Sequence, residues 1–145
     1  DNQGIETKAF NIRDGLGIRL WQRAGHRFGI VTGRSSGIVQ RRAAELDIEL
    51  VRQGVADKLP AVREISELFS LAPEQVAYIG DDLPDLPAIN HAGLGIAVAD
   101  ACEELREAAD LVTSIPGGRG AVREAIETIL KHQGHWTDIL KTYQN

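Results

Sequence analysis

The chain has 145 residues, 43% of them hydrophobic, and a formal net charge of −5, which gives material for one core in one domain. The acidic balance supplies no general field for gripping a nucleic-acid backbone. The single cysteine, Cys102, cannot close an internal disulfide, and no apolar run approaches the roughly 20 residues that span a bilayer. The expectation is a cytoplasmic protein with neither nucleic acid nor membrane as partner.

Hydrophobic patterning predicts a polar edge strand over residues 5–10 and a helix over 15–24, stopped by Gly25. Strands then alternate with helices: a strand over 27–32, a helix over 37–46, a short strand over 49–52, and a helix over 59–71 with Val62, Ile65, Leu68 and Phe69 on one face. Beyond Pro73 come a strand over 76–79, a helix over 85–91, a strand over 94–99, a helix over 103–109, a short strand over 111–113 and a helical C-terminal part. Such alternation implies right-handed β-α-β units and an α/β fold with a doubly wound parallel sheet.

Two strand ends stand out. The apolar run Val76-Ala77-Tyr78-Ile79 stops at Gly80 and releases Asp81, Asp82 and Asp85 within five positions. Ligands of open α/β sheets bind outside the carboxyl ends of the strands, and carboxylates clustered there suit Mg²⁺. The plain alternative is an acid-rich first helical turn. At the other end, Phe28-Gly29-Ile30-Val31 runs into Thr32-Gly33-Arg34-Ser35-Ser36. A hydroxyl, close backbone approach at Gly33 and N–H groups ahead of a helix can hold phosphate oxygens; the plain alternative is a junction capped by Ser36. Lys58, beside Asp57 at a helix start, can bring a fixed positive charge to the same phosphate.

In this order, the Thr after one strand, the Lys at a helix start and the acids after the next strand resemble three of the four motifs of the haloacid dehalogenase superfamily. Within it, Lys8-Ala9-Phe10-Asn11-Ile12-Arg13-Asp14-Gly15, the turn at Thr32, the 78–85 segment and Gly117-Gly118-Arg119-Gly120-Ala121-Val122-Arg123-Glu124 resemble the small sugar-phosphatases that lack a cap domain. The resemblance covers nearly the whole chain. It implies a Rossmann-like core and Mg²⁺-dependent hydrolysis of 3-deoxy-D-manno-octulosonate 8-phosphate through an aspartyl-phosphate. Thr32 and Lys58 would clamp the phosphate as catalytic groups, Asp81 would bind Mg²⁺, and Asp82 and Asp85 would hold its waters or orient Lys58.

The family's first motif is not found in the sequence. It is an Asp-x-Asp at a strand end, whose first Asp attacks phosphorus and whose second is general acid and base. The resemblance places that strand centrally, between 27–32 and 76–79, so a gap is expected there. The chain therefore reads as a single phosphatase domain over 1–145, N-terminally incomplete and inactive as given, with a C-terminal tail over 134–145.

For the sugar acid's carboxylate, guanidinium groups suit a planar anion. The resemblance assigns substrate contacts to Asn11, Ile12, Arg13, Asp14, Gly15, Arg19, Gly33, Arg34 and Arg42, besides Thr32 and Lys58; the plain alternative for the arginines is solvated helix surface. Arg23, Arg41 and the four histidines read as surface. The resemblance also implies a homotetramer whose subunits exchange a hairpin, including residues 5–10, and a tail, with Gly117 to Gly120 as an anion-binding loop. Two other readings stay open: action on a nine-carbon sialic-acid-type sugar phosphate, alone or as the phosphatase-like domain of an acylneuraminate cytidylyltransferase, and a non-catalytic oligomeric assembly module.

Overall fold

A computed structural model describes residues 10–144; the expected strand over 5–10 therefore lies outside the described residues, apart from Phe10. Helix α1 (Ile12–Arg23) opens the described chain. It begins one turn earlier than the sequence reading, because the Asn11 side chain accepts from the N–H groups of Arg13 and Asp14 and caps it. Strand β1 (Gly29–Val31) leads to α2 (Gly37–Glu45), β2 (Leu50–Arg52) and α3 (Lys58–Leu68). Helix α3 stops three residues short of the expected end, where Ser70 takes φ +57° and breaks the helical run. A short 3-10 turn, Pro73–Gln75, precedes β3 (Ala77–Gly80). A second, Leu83–Asp85, feeds α4 (Leu86–His91). The chain continues through β4 (Leu94–Ala97), α5 (Glu103–Ala108), β5 (Leu111–Val112), α6 (Ala121–His132) and α7 (Trp136–Lys141).

All strand pairing among the described residues is parallel, as the alternation of strands and helices demands. Strand β1 pairs with β2, Ile30 opposite Val51, while β3, β4 and β5 form a second sheet in that order. Among the described residues no strand joins the two, at the place where the resemblance implies a gap. In its place lies an apolar cleft of about 320 Å³, walled by β1 residues such as Ile30, β3 residues such as Ile79, and Val62, Ile65, Ile126 and Ile129 from the helices.

Two apolar clusters hold the halves. Ile18 and Leu20 of α1, Ala43 and Leu46 around α2, and Ile126 and Leu130 of α6 form the first, with Trp136 and Ile139 of α7 packed against it. The tail thus packs on its own chain. Gly17 makes the close α1–α6 approach possible, since a Cβ there would stand 3.1 Å from Arg123 Cα. The second cluster joins Ile89, Ala97, Val98, Ala101, Leu105 and Ala121. Leu105 and Leu130 are fully buried, each worth about 1.5–3 kcal/mol of apolar transfer.

Candidate active site

Strand β3 ends at Gly80, and the chain turns sharply enough for Asp85 to fold back over the strand end. A Cβ at residue 80 would sit 2.5 Å from Asp85 Cβ and 2.6 Å from its Cγ, so only glycine leaves the room. The Asp82 carboxylate supports the turn by accepting from Leu83 N–H at 2.8 Å.

Asp85 is 2% exposed, and four donors converge on its carboxylate. Oδ1 accepts from Lys58 Nζ at 2.8 Å and from the Tyr78 hydroxyl at 2.5 Å. Oδ2 accepts from the backbone N–H groups of Asp81 at 2.9 Å and Asp82 at 3.2 Å. A buried carboxylate needs such satisfaction. Burial alone would raise its pKa, but Lys58, Tyr78 and the two backbone N–H groups outweigh burial and hold Asp85 below the usual carboxylate range. Burial, followed by the hydrogen bond to Asp85, pushes the Tyr78 phenol well above its ordinary value.

Asp81 has the opposite environment. Partial desolvation, then the adjoining Asp85 carboxylate, raise its pKa against the opposing pull of Lys58. Lys58 is already bonded to Asp85, so the negative charge of Asp81 is poorly compensated. A cation beside it would supply what is missing. The donor set fits Mg²⁺, which takes one or two protein carboxylates and completes its shell with waters and phosphate oxygens; no group of three or more Asp, Glu, His or Cys side chains suited to a metal occurs among the described residues. Asp81 is the acid of this turn whose charge has the least compensation. Asp85, with both oxygens taken, is placed to hold Lys58 and the backbone of the acid turn.

These groups open onto a pocket of about 670 Å³, whose far wall is formed by Val98, Asp100, Cys102, Gly117 and Gly118. Asp100 Oδ1 accepts from Gly117 N–H at 2.8 Å and holds the glycine loop there. Gly118 at φ +74° and Gly120 at φ +114° give the loop its shape. Glu124 fastens its entry by accepting from the N–H groups of Ser114 and Ile115.

The other sequence-predicted residues fall into two groups outside the residues that line this pocket. Thr32, Gly33 and Arg34 follow β1, where the Thr32 hydroxyl accepts from Arg34 N–H at 3.2 Å. Ser36 caps α2, accepting from Ile38 and Val39 N–H. The rest gather where α1 meets α2 and α6. Arg19 donates to Glu45 O at 2.6 Å, and Arg42 to Glu45 Oε2 at 3.1 Å. A Cβ at Gly15 would stand 2.5 Å from Arg42 Nη2. Asp14 accepts from Arg123 N–H at 2.9 Å, while Ile12 is 84% exposed and Arg13 is also exposed.

Sequence reasoning missed Tyr78, Gly80 and Asp100 as parts of the site. A signal existed for the first: a tyrosine inside a buried parallel strand needs a partner for its hydroxyl.

The family model described as haloacid dehalogenase-like hydrolase matches residues 42–126, which include Lys58, the acid turn and the glycine loop. The chain belongs to the haloacid dehalogenase-like hydrolases. It is 48% identical, over 133 residues, to the 3-deoxy-D-manno-octulosonate 8-phosphate phosphatase KdsC of Escherichia coli strain K12, covering 92% of this chain and 71% of that one. The structure of the 3-deoxy-D-manno-octulosonate 8-phosphate phosphatase from Moraxella catarrhalis, in complex with magnesium ion, phosphate ion and KDO molecule, superposes with a TM-score of 0.96 at 45% identity, over 99% of this chain and 83% of that one. The cobalt-bound phosphatase from Haemophilus influenzae gives 0.90 at 42% identity, over 92% and 78%. This hydrolase thus shares its parallel α/β core with phosphatases, and no helix among its described residues is long and apolar enough to cross a membrane.

Proposed function

We propose that this haloacid dehalogenase-like hydrolase is a Mg²⁺-dependent phosphatase of 3-deoxy-D-manno-octulosonate 8-phosphate. The observation that carries the reading is the pairing of a buried Lys58–Asp85 ion pair with the undercompensated Asp81 at one strand end, in a chain 48% identical to a phosphatase of that name. Magnesium, held by Asp81, would neutralise charge on the phosphoryl oxygens. Lys58 would bind a phosphate oxygen with the ammonium donors that Asp85 leaves free, and Asp85 would keep that ammonium in place. Phosphoryl transfer depends on such positioning and charge compensation. The attacking Asp-x-Asp carboxylate is not among the described residues.

Thr32, Gly33 and Arg34 would contribute the phosphate-facing turn, and Arg13, Arg19 and Arg42 the carboxylate-facing side of an acidic sugar. We further propose a homotetramer and a cytoplasmic location. The test is Mg²⁺-dependent phosphate release by the protein encoded by the complete gene, comparing the eight-carbon substrate with a nine-carbon sugar acid phosphate. Faster release from the eight-carbon ester is expected. Preference for the nine-carbon ester would reassign the substrate, and Mg²⁺ binding without release from either would favour an assembly role.

A further inference from the structure

Nothing in the phosphatase reading makes use of Tyr78, although it is bonded into the centre of the site. It stands on β3 and borders both the apolar cleft and the acid pocket. Its hydroxyl donates to Asp85 Oδ1, the same oxygen that accepts from Lys58 Nζ. Two donors on one carboxylate oxygen divide its electron density, so what the phenol takes weakens the grip on the ammonium. The other oxygen is occupied by the backbone N–H groups of Asp81 and Asp82, so the carboxylate cannot swing to give each donor an oxygen of its own.

We propose that Tyr78 is a positioning residue for Lys58: by sharing Asp85 Oδ1, it moderates the hold of Asp85 on the ammonium and keeps that ammonium available to an anion. The Lys58 side chain is 16% exposed, against 3% for Asp85, so its remaining donors can reach the pocket. Phenylalanine at 78 preserves the ring in the cleft and hands Oδ1 to Lys58 alone. The pair then tightens and the ammonium is less available to phosphate. The inference rests on the pocket being a Mg²⁺-assisted phosphate site, and the test separates the two.

The test compares wild type with Tyr78→Phe in two measurements: binding of inorganic phosphate with Mg²⁺ present, by calorimetry, and the ¹⁵N resonance of the Lys58 ammonium, assigned by its loss in Lys58→Met. Tyr78→Phe should weaken phosphate about three- to tenfold, the value of one hydrogen bond. Its Mg²⁺ affinity should stay within about twofold, and the Lys58 resonance should shift without ligand. A purely structural role would instead lower the melting temperature, as the loss of a core side chain such as fully buried Leu130 should, while leaving phosphate affinity and the Lys58 resonance unmoved, and that result overturns the proposal. Failure of wild type to bind phosphate would refute the phosphate reading, yet the unliganded Lys58 resonance would still decide the role of Tyr78. Should Tyr78→Phe not fold, 3-fluorotyrosine at 78 keeps the ring and strengthens the donor. An unchanged Lys58 resonance in that protein would also overturn the proposal.

Discussion

Replacing Asp85 by alanine removes the acceptor on which Lys58, Tyr78 and two backbone N–H groups converge. Breaking a buried ion pair from one side costs about 3–5 kcal/mol, because the remaining charge stays desolvated. Water reaches the Lys58 side chain in part, at 16% exposure, which places the expected loss near the lower end, at about 3 kcal/mol. That is a large share of the roughly 5–15 kcal/mol that stabilises a domain. Urea denaturation at pH 7 reads it through the fluorescence of Trp21 and Trp136, both packed against the α1–α6 cluster. The double variant Asp85→Ala/Lys58→Met removes the stranded ammonium and should recover about 1–2 kcal/mol. A loss under about 1 kcal/mol, or no recovery in the double variant, would refute the reasoning. The pH dependence provides a second check. Asp85 is held below its ordinary pKa, so its contribution is complete above the unfolded value of about 3.9 and fades as pH falls through the lower folded value. The gap between wild type and Asp85→Ala should narrow in that acid range.

Gly80→Ala drives a methyl into Asp85 at 2.5 Å and should cost about 1–3 kcal/mol in chemical denaturation. Asp81→Asn acts in the opposite direction on the metal-free protein. The raised pKa of Asp81 means that its stabilising protonated form is lost as pH rises through the folded value, so the amide should raise the melting temperature near pH 7. The same variant should abolish any Mg²⁺-induced rise in that temperature. Leu130→Ala, at a fully buried position of α6, should cost about 2–5 kcal/mol and leave Mg²⁺ affinity unchanged, which separates core damage from site damage.

The alternation of short apolar runs with amphipathic segments fixed the α/β class, since the side-chain periods of strand and helix are properties of the local chain. The acid turn after residues 76–79 was legible for the same reason: a buried strand ending at Gly80 and Asp81 is a local pattern. Element ends were less legible where a side-chain cap or a positive φ decided them, at Asn11 and Ser70. The roles of the three aspartates were beyond the sequence. Asp81, Asp82 and Asp85 are one residue type in one motif, yet folding buries Asp85 among four donors, leaves Asp81 undercompensated and turns Asp82 onto a backbone N–H. Lys58 lies 27 residues before Asp85 in the chain, and it meets the oxygen that Tyr78 also bonds only because α3 packs against the Leu83–Asp85 turn. Sequence supplied the kinds of side chain, because spacing is local. Tertiary structure decided which charges are compensated, because solvation and partners depend on contacts between elements distant in the chain.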